Sequence, residues 1–330
     1  MGRTVYVGGE QSLLVCELAS QALEVHARVD VGALPSFLAF APRRGTAYAV
    51  AEGEDRVTAL RVTAEGASPK VLGSVPCPGG PAYVSVDREE RFVMAANYNG
   101  GTVLVWPIAD DGALGPVTEE IRTGIHPHAV LTDPTNQFVL VPNKGSDRVS
   151  LFRLDESLGK LLPLDSDTVA TAAGAGPRHL AFHPNGRRAY LMNELDCTLV
   201  VFAVEEERLS TLQVAQTLPS GVAAGSTGAD VHVSHDGRFV YASNRGHDSI
   251  AIFRTTDAGV ELVGHESTRG RVPRNFCLLG EDLLLVANQE SCSVVAFERN
   301  PESGLLRFRF ETHVGERAFW VGPWGAAPGA

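Results

Sequence analysis

The chain has 330 residues, 44% of them hydrophobic, so it is long and apolar enough to bury a large core. Its 39 acidic residues outnumber its 28 basic ones, and the formal net charge of -11 argues against nucleic acid or a membrane surface as a general partner. The five cysteines include no C-x-x-C pair, which argues against both a disulfide framework and a zinc knuckle.

The chain begins with two apolar runs around a polar turn, VYVGGEQSLLVCEL, and then repeats one pattern six times. Each copy has an apolar run, a turn with Pro, Asn, Asp or Gly, a second apolar run, a polar loop, and a third run ending in Phe, Leu or Trp. Short β-branched and aromatic runs between turn residues are typical of strands. A fourth segment lies in the variable stretch between copies.

Each copy can be aligned on an anchor at the start of its first run, filled by glycine in one copy and by proline in the others. The anchors are Pro35, Pro81, Pro127, Pro177, Gly228 and Pro273, which are 46, 46, 50, 51 and 45 residues apart. Self-similarity with a period of about 40–50 residues and four strands per copy is typical of a β-propeller.

The two ends of the chain complement each other. The N-terminal runs match only the second half of a copy, and the C-terminal VGERAFWVG resembles the missing first strand. A seventh blade shared between the ends closes the ring and leaves no open sheet edge. A solenoid or a sandwich is the alternative for a β-repeat, but an open stack needs atypical caps and not a shared repeat. We therefore predict an all-β fold, a seven-bladed propeller of four-stranded blades, as a single domain over residues 1–330.

Two columns of the aligned copies should lie at one mouth of the central channel, because the start of the first strand and the loop after the second strand share a rim. The first column follows the anchor directly and holds Ser36, Ala82, His128, Arg178, Ala229 and Arg274. The second column holds Ala51, Asn97, Asn143, Asn193, Asn244 and Asn288, and the residues after it are Glu52, Tyr98, Lys144, Glu194, Arg245 and Gln289. Asn tolerates the left-handed conformation and can bond its own loop, so we expect the Asn column to serve the backbone.

The residues that differ between copies in these columns are the candidates for catalysis and substrate binding. We expect three neighbouring blades to surround one site with His128, Lys144, Arg178, Glu194 and Arg245. The simpler interpretations are an ion pair within one blade for Arg178 and Glu194, a strand cap for His128, and solvent-exposed rim charges for Lys144 and Arg274. The other histidines fit blade packing better than chemistry, namely His179, His183 and His232.

Other classes of site have little support. The HPH segment resembles a metal-binding pair, but no carboxylate or cysteine cluster accompanies it at ligand spacing. No Walker loop, G-x-G-x-x-G, G-x-S-x-G or H-E-x-x-H motif occurs, so neither a cofactor nor a serine hydrolase is expected. The start of the chain lacks the apolar segment of a signal peptide, and no apolar run reaches transmembrane length, so we expect a cytoplasmic protein.

Three segments carry a resemblance to a known family: GPRHLAFHPNGRRAYLMNEL, ADVHVSHDGRFVYASNRGHDSIAIF, and VPRNF followed by LLVANQ. They resemble the signature segments of the seven-bladed-propeller lactonases, which include the cycloisomerase-type 6-phosphogluconolactonases and a fungal carboxy-cis,cis-muconate cyclase. The resemblance covers the whole chain and includes the C-terminal VGERAFWV.

The resemblance implies a metal-free site made of a His, two Arg and a Glu. Matching motifs place these on His128 in HPHAV, Arg178 in GPRH, Glu194 in NEL and Arg245 in NRGH. Two Arg can hold an anionic substrate and stabilise an oxyanion. Glu194 or His128 can take a proton from water, and we assign Glu194 as the base. The predicted substrate-binding residues are Lys144, Arg274, Tyr98, Asn193 and Gln289.

The expected activity is that of a sugar lactonase acting on 6-phospho-D-glucono-1,5-lactone in the pentose phosphate pathway. The partner is then a small-molecule sugar lactone, with no nucleic acid, membrane or cofactor. The alternatives are a muconate-type lactonising cycloisomerase that uses the same residues, and a non-catalytic binding propeller. The sequence gives neither the oligomeric state nor whether the glycine-rich loop 220–228 closes over a ligand.

Overall fold

The computed structural model describes residues 3–62, 68–205, 208–222 and 225–325. The tip of the loop 220–228, residues 223 and 224, therefore lies outside the described residues, as do residues 326–330 of the expected domain. Within the described ranges the chain forms 28 β-strands in seven antiparallel sheets of four strands each. No helix within those ranges is both long and apolar enough to cross a membrane.

The sheets follow one another along the chain. The shared blade contains β1 (Arg3–Gly8), β2 (Leu13–Leu18), β3 (Leu23–Val29) and β28 (Trp320–Pro323). The next three blades contain β4 (Leu38–Ala41), β5 (Thr46–Ala51), β6 (Arg56–Arg61) and β7 (Lys70–Pro76); β8 (Pro81–Val86), β9 (Phe92–Asn97), β10 (Thr102–Pro107) and β11 (Glu119–Arg122); and β12 (Leu131–Thr132), β13 (Phe138–Asn143), β14 (Arg148–Asp155) and β15 (Lys160–Ala170). The last three contain β16 (Pro177–Phe182), β17 (Arg188–Asn193), β18 (Thr198–Glu205) and β19 (Arg208–Gln216); β20 (Thr227–Val233), β21 (Phe239–Arg245), β22 (Ser249–Thr255) and β23 (Val260–Ser267); and β24 (Pro273–Leu279), β25 (Leu283–Asn288), β26 (Ser293–Arg299) and β27 (Leu306–His313).

The ends of the chain meet in one blade. β28 pairs antiparallel with β1, from Val5 opposite Pro323 to Gly8 opposite Trp320, and the strand order of the sheet is β28-β1-β2-β3. The C-terminal segment therefore supplies the innermost strand of the blade that the N-terminal segment begins. The predicted seven-bladed propeller with a shared closing blade is confirmed.

Apolar side chains fill the spaces between neighbouring blades around the whole ring. Tyr190 and Phe253 belong to one such cluster, between the blades of β16–β19 and β20–β23, and both are buried. The inner and middle strands are buried along most of their length, as in β9 and β25, because another blade covers each face. Outer strands such as β7 are largely exposed. The core is therefore a closed ring of blade-to-blade interfaces around the channel.

The anchors have a defined structural role. Five of them pair with the Asn of the second column. Pro127 pairs with Asn143 as an isolated bridge, and within the strand ladders the pairs are Pro81 with Asn97, Pro177 with Asn193, Gly228 with Asn244 and Pro273 with Asn288. A β-bulge follows each of the four pairs within the ladders, so one additional residue there faces no partner. This bulge frees Arg178 and Arg274 from the sheet. Glycine replaces proline at 228 where space is short, since a Cβ there would lie 2.5 Å from the carbonyl oxygen of Asn193.

The expected backbone role of the Asn column is partly wrong. Asn143 and Asn288 are extended, with φ of -111° and -91°, and the left-handed residue comes four positions later, as at Asp147 and Cys292. The amide of Asn143 instead bonds the next strand, since its Nδ2 donates to Ser150 Oγ at 3.0 Å. Asn97, Asn143 and Asn193 therefore tie the second strand to the third within their own blade, whereas Asn244 and Asn288 donate to backbone carbonyl oxygens of the preceding blade.

Candidate active site

The mouth is the end of the channel at which the first-column residues and the turns after the second strands meet. There the Glu194 carboxylate contacts three cations. Oε1 lies 2.6 Å from Lys144 Nζ and 3.2 Å from Arg245 Nη2, while Oε2 lies 3.1 Å from Arg178 Nε. Lys144 follows β13, Arg178 lies in β16 and Arg245 ends β21, so three neighbouring blades supply the cations. The structure brings these four sequence-predicted residues together.

Glu194 is mostly buried, and its side chain is 10% exposed. Burial alone would raise the pKa of its carboxyl, but Arg178, Arg245 and Lys144 together lower the pKa to about 2. Glu194 is therefore ionised at neutral pH, with a cation against each oxygen. A carboxylate stabilised in this way is a weak acceptor for a further proton. The geometry favours Glu194 as the anchor of three cations over Glu194 as a base.

Arg178 and Arg245 are also held by the backbone at the start of β20. Arg178 Nη1 donates to the carbonyl oxygen of Ala229 at 2.5 Å, and Arg245 Nη2 donates to that of Gly228 at 2.8 Å. Burial and the nearby Arg245 lower the pKa of Arg178 to about 9, which still leaves it charged at neutral pH. Both planar groups are thus fixed before any ligand arrives.

Two of the guanidinium nitrogens at the mouth are donors without an acceptor. Arg178 Nε and Arg245 Nε are buried and form no hydrogen bond within the described residues. The 3.1 Å contact of Arg178 Nε with Glu194 is close enough for an ion pair, but its angles fall outside hydrogen-bond geometry. Buried donors normally have a partner. Because Arg178 Nε already faces a Glu194 oxygen, it is Arg245 Nε that indicates a place for an anionic or carbonyl oxygen.

An aromatic wall lies beside the cations. Tyr98 stacks on His126 at a centroid distance of 4.3 Å, meets His128 edge-on at 5.5 Å, and has Lys144 Nζ 5.6 Å from its ring centre. His128 is buried, and its Nδ1 has no partner within the described residues. Burial and the nearby Arg178 hold the pKa of His128 well below its usual value, so the ring is neutral.

Arg274 faces the mouth from a fourth blade. Its Nη2 lies 3.8 Å from Glu52 Oε2, and its guanidinium lies 5.7 Å from the ring centre of Phe319. Burial lowers its pKa from the usual value. A narrow cavity below the mouth is lined by Arg274 together with Arg178, His179 and other residues. Glu52 stands in the aligned columns but was not among the residues predicted to contact substrate.

Two of the residues predicted to bind substrate use their side chains in hydrogen bonds outside the Glu194 cluster. Asn193 is 1% exposed, and its Nδ2 donates to Thr198 Oγ1 at 2.9 Å within the same blade. Gln289 donates through Nε2 to Glu290 Oε1 at 2.9 Å at an exposed turn. In the described part of the chain, neither side chain hydrogen-bonds to Glu194 or its cations.

Sequence reasoning missed Asp230. This buried carboxylate accepts hydrogen bonds from His179 Nδ1 at 2.8 Å, His232 Nε2 at 3.0 Å and Asn275 Nδ2 at 2.5 Å. The signal was present two residues after the anchors, where three consecutive blades carry His179, Asp230 and Asn275. The sequence predicts a packing role for His179 and His232, and in the structure both rings also hydrogen-bond to this carboxylate.

Metal ligation finds no support in the geometry. In the ranges that the structure describes, no three His, Cys, Asp or Glu side chains are grouped so that they could hold a metal ion. His126 of the HPH segment stacks on Tyr98.

The fold and the mouth together define a class: a seven-bladed β-propeller with a cluster of cations around one carboxylate at one end of its channel. The family model for lactonase, 7-bladed beta-propeller, matches residues 4–323. The chain is 33% identical over 329 residues to a 6-phosphogluconolactonase of Serratia proteamaculans (strain 568), covering 97% of this chain and 98% of that protein. It is 34% identical over 291 residues to a 6-phosphogluconolactonase of Bacillus subtilis (strain 168), covering 82% of each.

A solved structure also matches the chain over nearly its whole length. The periplasmic gluconolactonase of Pseudomonas aeruginosa matches with a TM-score of 0.89 and 29% identity, covering 99% of both chains. The chain belongs to the seven-bladed β-propeller lactonase family.

Proposed function

We propose that this protein is a sugar lactonase that hydrolyses 6-phospho-D-glucono-1,5-lactone to 6-phosphogluconate, a step of the pentose phosphate pathway. The observation that carries the proposal is the cluster of four cations at the mouth, where a buried donor, Arg245 Nε, has no acceptor within the described residues, in a chain of the lactonase family. The names of the Serratia and Bacillus relatives support the substrate.

The charge of the mouth suits a phosphorylated substrate. Four cations, Lys144, Arg178, Arg245 and Arg274, stand against two carboxylates, Glu194 and Glu52. Four minus two leaves an excess of two positive charges in a chain whose net charge is -11. A phosphate monoester carries about -1.5 to -2 at neutral pH, so it matches this local excess.

The reaction needs little more than positioning and charge stabilisation. A lactone is a reactive ester that water can open without a covalent enzyme intermediate. Arg178 and Arg245 stabilise the oxyanion that forms on the carbonyl oxygen. Arg274 and Lys144 hold the distal anionic group, and Tyr98 lies against the sugar ring. Glu194 keeps three of the cations in place between turnovers.

Turnover of a substrate panel tests the proposal. The panel contains 6-phosphogluconolactone, unphosphorylated gluconolactone and a carboxy-muconate, with spontaneous lactone opening subtracted. We expect the highest kcat/KM on the phosphorylated lactone, in the presence or absence of EDTA. Equal turnover of the unphosphorylated lactone would remove the phosphate assignment alone. Muconate lactonisation without lactone hydrolysis would favour the cycloisomerase, and no turnover at all would favour a binding propeller.

Arg274→Gln separates the roles of the cations. We expect it to raise KM for the phosphorylated lactone more than for the unphosphorylated one, because it removes a charge that only phosphate uses. Arg238→Gln is the matched control, since Arg238 pairs with Asp236 and Glu302 on an exposed turn. It should leave both KM values unchanged.

We also propose a cytoplasmic location and a single functional domain. The five cysteines are all unpaired, and four of them are buried. Free thiols in the core suit a reducing compartment. A reporter fusion or cell fractionation checks the location, and recovery in a periplasmic fraction would contradict it.

A further inference from the structure

A second layer of side chains lies below the mouth, one residue further along each inner strand than the first-column residues. These residues are second after each anchor, and they are Phe37, Tyr83, Ala129, His179, Asp230 and Asn275. They contact one another across blades: Phe37 stacks on Tyr83 at 3.9 Å, and Asp230 accepts from both His179 and Asn275. The layer therefore carries a buried carboxylate and an imidazole directly below the cations.

Asp230 is fixed by more than its side-chain partners. The backbone N–H of Val231 also donates to its Oδ1 at 3.0 Å. Burial alone would raise the pKa of Asp230, but His232 and His179 hold the pKa below its ordinary value, so the group is a carboxylate. A carboxylate only accepts hydrogen bonds, so the proton between it and His179 belongs to Nδ1 of the ring.

His179 is thereby left with a free lone pair. With Nδ1 protonated and the ring neutral, Nε2 is the acceptor nitrogen, and it has no hydrogen-bond partner within the described ranges. His179 lines the narrow cavity below the mouth together with Arg178 and Arg274. Its ring also meets His128 at a centroid distance of 5.2 Å. A basic nitrogen, oriented by a carboxylate, therefore borders the same space as the cations.

The other candidates for a base are less well arranged. Each Glu194 oxygen faces at least one cation, so protonating it would disrupt the cluster. His128 has an unpartnered Nδ1, and no carboxylate orients its ring within the described residues. Only His179 combines an orienting carboxylate with a free ring nitrogen at this site, as far as the described residues extend.

We propose that His179 is the general base of the reaction and that Asp230 is the positioning residue that holds its ring, an inference that rests on the lactonase function proposed above. Water gives a proton to His179 Nε2 while its oxygen bonds to the lactone carbonyl carbon, and the carbonyl oxygen becomes an oxyanion. The ring C–O bond then breaks, the carbonyl re-forms, and the leaving oxygen takes the proton back from Nε2. The hydroxy acid finally loses a proton to solvent, and His179 is neutral again.

The electrostatics couple this base to the anion site. Burial and Arg178 lower the pKa of His179 to about 4, while Asp230 opposes this shift. The groups that face the ring from neighbouring elements are Arg178, Asp230, Arg274, His128 and Tyr83. An anion bound to Arg178 and Arg274 cancels part of their field. Binding of an anionic substrate therefore raises the pKa of His179 and makes it a stronger base.

The test compares three variants on 6-phosphogluconolactone. We expect His179→Gln to lower kcat by about 10²–10⁴-fold with KM little changed. Asp230→Asn should lower kcat at least about tenfold, because an amide N–H facing Nδ1 favours the opposite tautomer. His183→Gln is the control, since His183 follows the same strand, β16, at its far end. It should retain wild-type kcat and KM.

Two further measurements separate catalysis from folding. Added imidazole should restore part of the activity of His179→Ala but not of Asp230→Asn, and a structural role would show no such rescue. Nitrogen NMR of labelled histidine should show His179 protonated at Nδ1 in the wild type and not in Asp230→Asn.

The possible failures are distinct. A wild-type protein that hydrolyses no lactone removes the proposed function and this inference with it. An active wild type with a near-native His179→Gln overturns the inference alone. A His179→Gln protein with a native melting temperature, low kcat and no imidazole rescue in His179→Ala also overturns the role as base.

Discussion

At Glu194 a single carboxylate is shared by cations from three blades, so its role depends on charges that are far apart in the sequence. Lys144 and Arg245 lie about fifty residues on either side of it. A lone Glu beside an Arg suggests an ion pair within one blade, and that pair exists between Glu194 and Arg178. Lys144 and Arg245 contact the same carboxylate, so Glu194 holds cations from three blades together.

Glu194→Gln tests that role. Gln cannot neutralise the cations, so we expect KM to rise while kcat holds within about tenfold, together with a lower melting temperature. A fall in kcat of about 10²–10⁴-fold at unchanged KM would instead identify Glu194 as the base. Glu90→Gln is the matched control, because Glu90 is also buried and ion-paired, 3.4 Å from Arg43, at another part of the ring. It should lower stability without altering KM.

The same carboxylate should contribute to acid stability. Its pKa is about 2 in the folded protein, against an ordinary value of 4.5, so the folded state favours the ionised form. The stabilisation is fully present above pH 4.5 and is lost as the pH falls towards 2, and it amounts to roughly 3 kcal/mol. Urea unfolding at pH 7 and pH 3 should show a smaller loss of stability for Glu194→Gln than for the wild type. Equal losses would contradict the assigned pKa.

At the scale of elements, the β-bulge that follows four of the six anchors explains how a repetitive sequence builds a site. In each of these blades the bulge leaves one residue without a partner on the neighbouring strand, as at Arg178 and Arg274. The side chain at that position can therefore differ between blades without changing the strand pairing. Period and turn chemistry were enough to predict the blades and this column. The column two residues after the anchors shows that Asp230 shares a layer with His179, but the hydrogen bond between them depends on side-chain geometry that the sequence does not contain.

The turn after the second strand leads to another prediction. In the six repeat copies this turn ends in a residue with positive φ, and at Cys292 the φ is 53°, where a side chain with a Cβ is strained. Cys292→Gly removes that Cβ and should stabilise the protein by about 0.5–1 kcal/mol after the entropic cost of glycine. Thermal melting measures the effect. Cys292→Ala keeps the Cβ and loses only the thiol, so it should give no gain; an equal gain would show that strain is not the cause.

At the scale of the whole molecule, closure depends on four residues at the end of the described chain. Trp320–Pro323 form β28, which covers the inner edge of β1. Glu316, just before it, accepts from the Gln11 N–H at 2.7 Å and also pairs with Arg28. The ring is therefore held by a strand and by an ion pair that both join the two ends.

Deleting residues 316–330 should destabilise the whole protein. The truncation removes β28 and leaves the β1 edge open, so we expect aggregation or a large fall in melting temperature. A truncation after Gly325 keeps β28 and serves as the control. Light scattering and thermal melting report both effects, and identical melting of the two truncated proteins would rule out closure by β28.

The pairing of β1 with β28 also sets an order of events during synthesis on the ribosome. The first strand emerges about 300 residues before its partner, a delay of roughly 15–60 s at about 5–20 residues per second. Until β28 is synthesised, the inner edge of β1 has no partner strand. The ring of blades around the mouth is also incomplete. Arrested nascent chains that end at Arg299 should therefore be cut rapidly by protease within β1–β3, while released full-length chains resist. Protection of the arrested chains would show that the ring does not wait for its last strand.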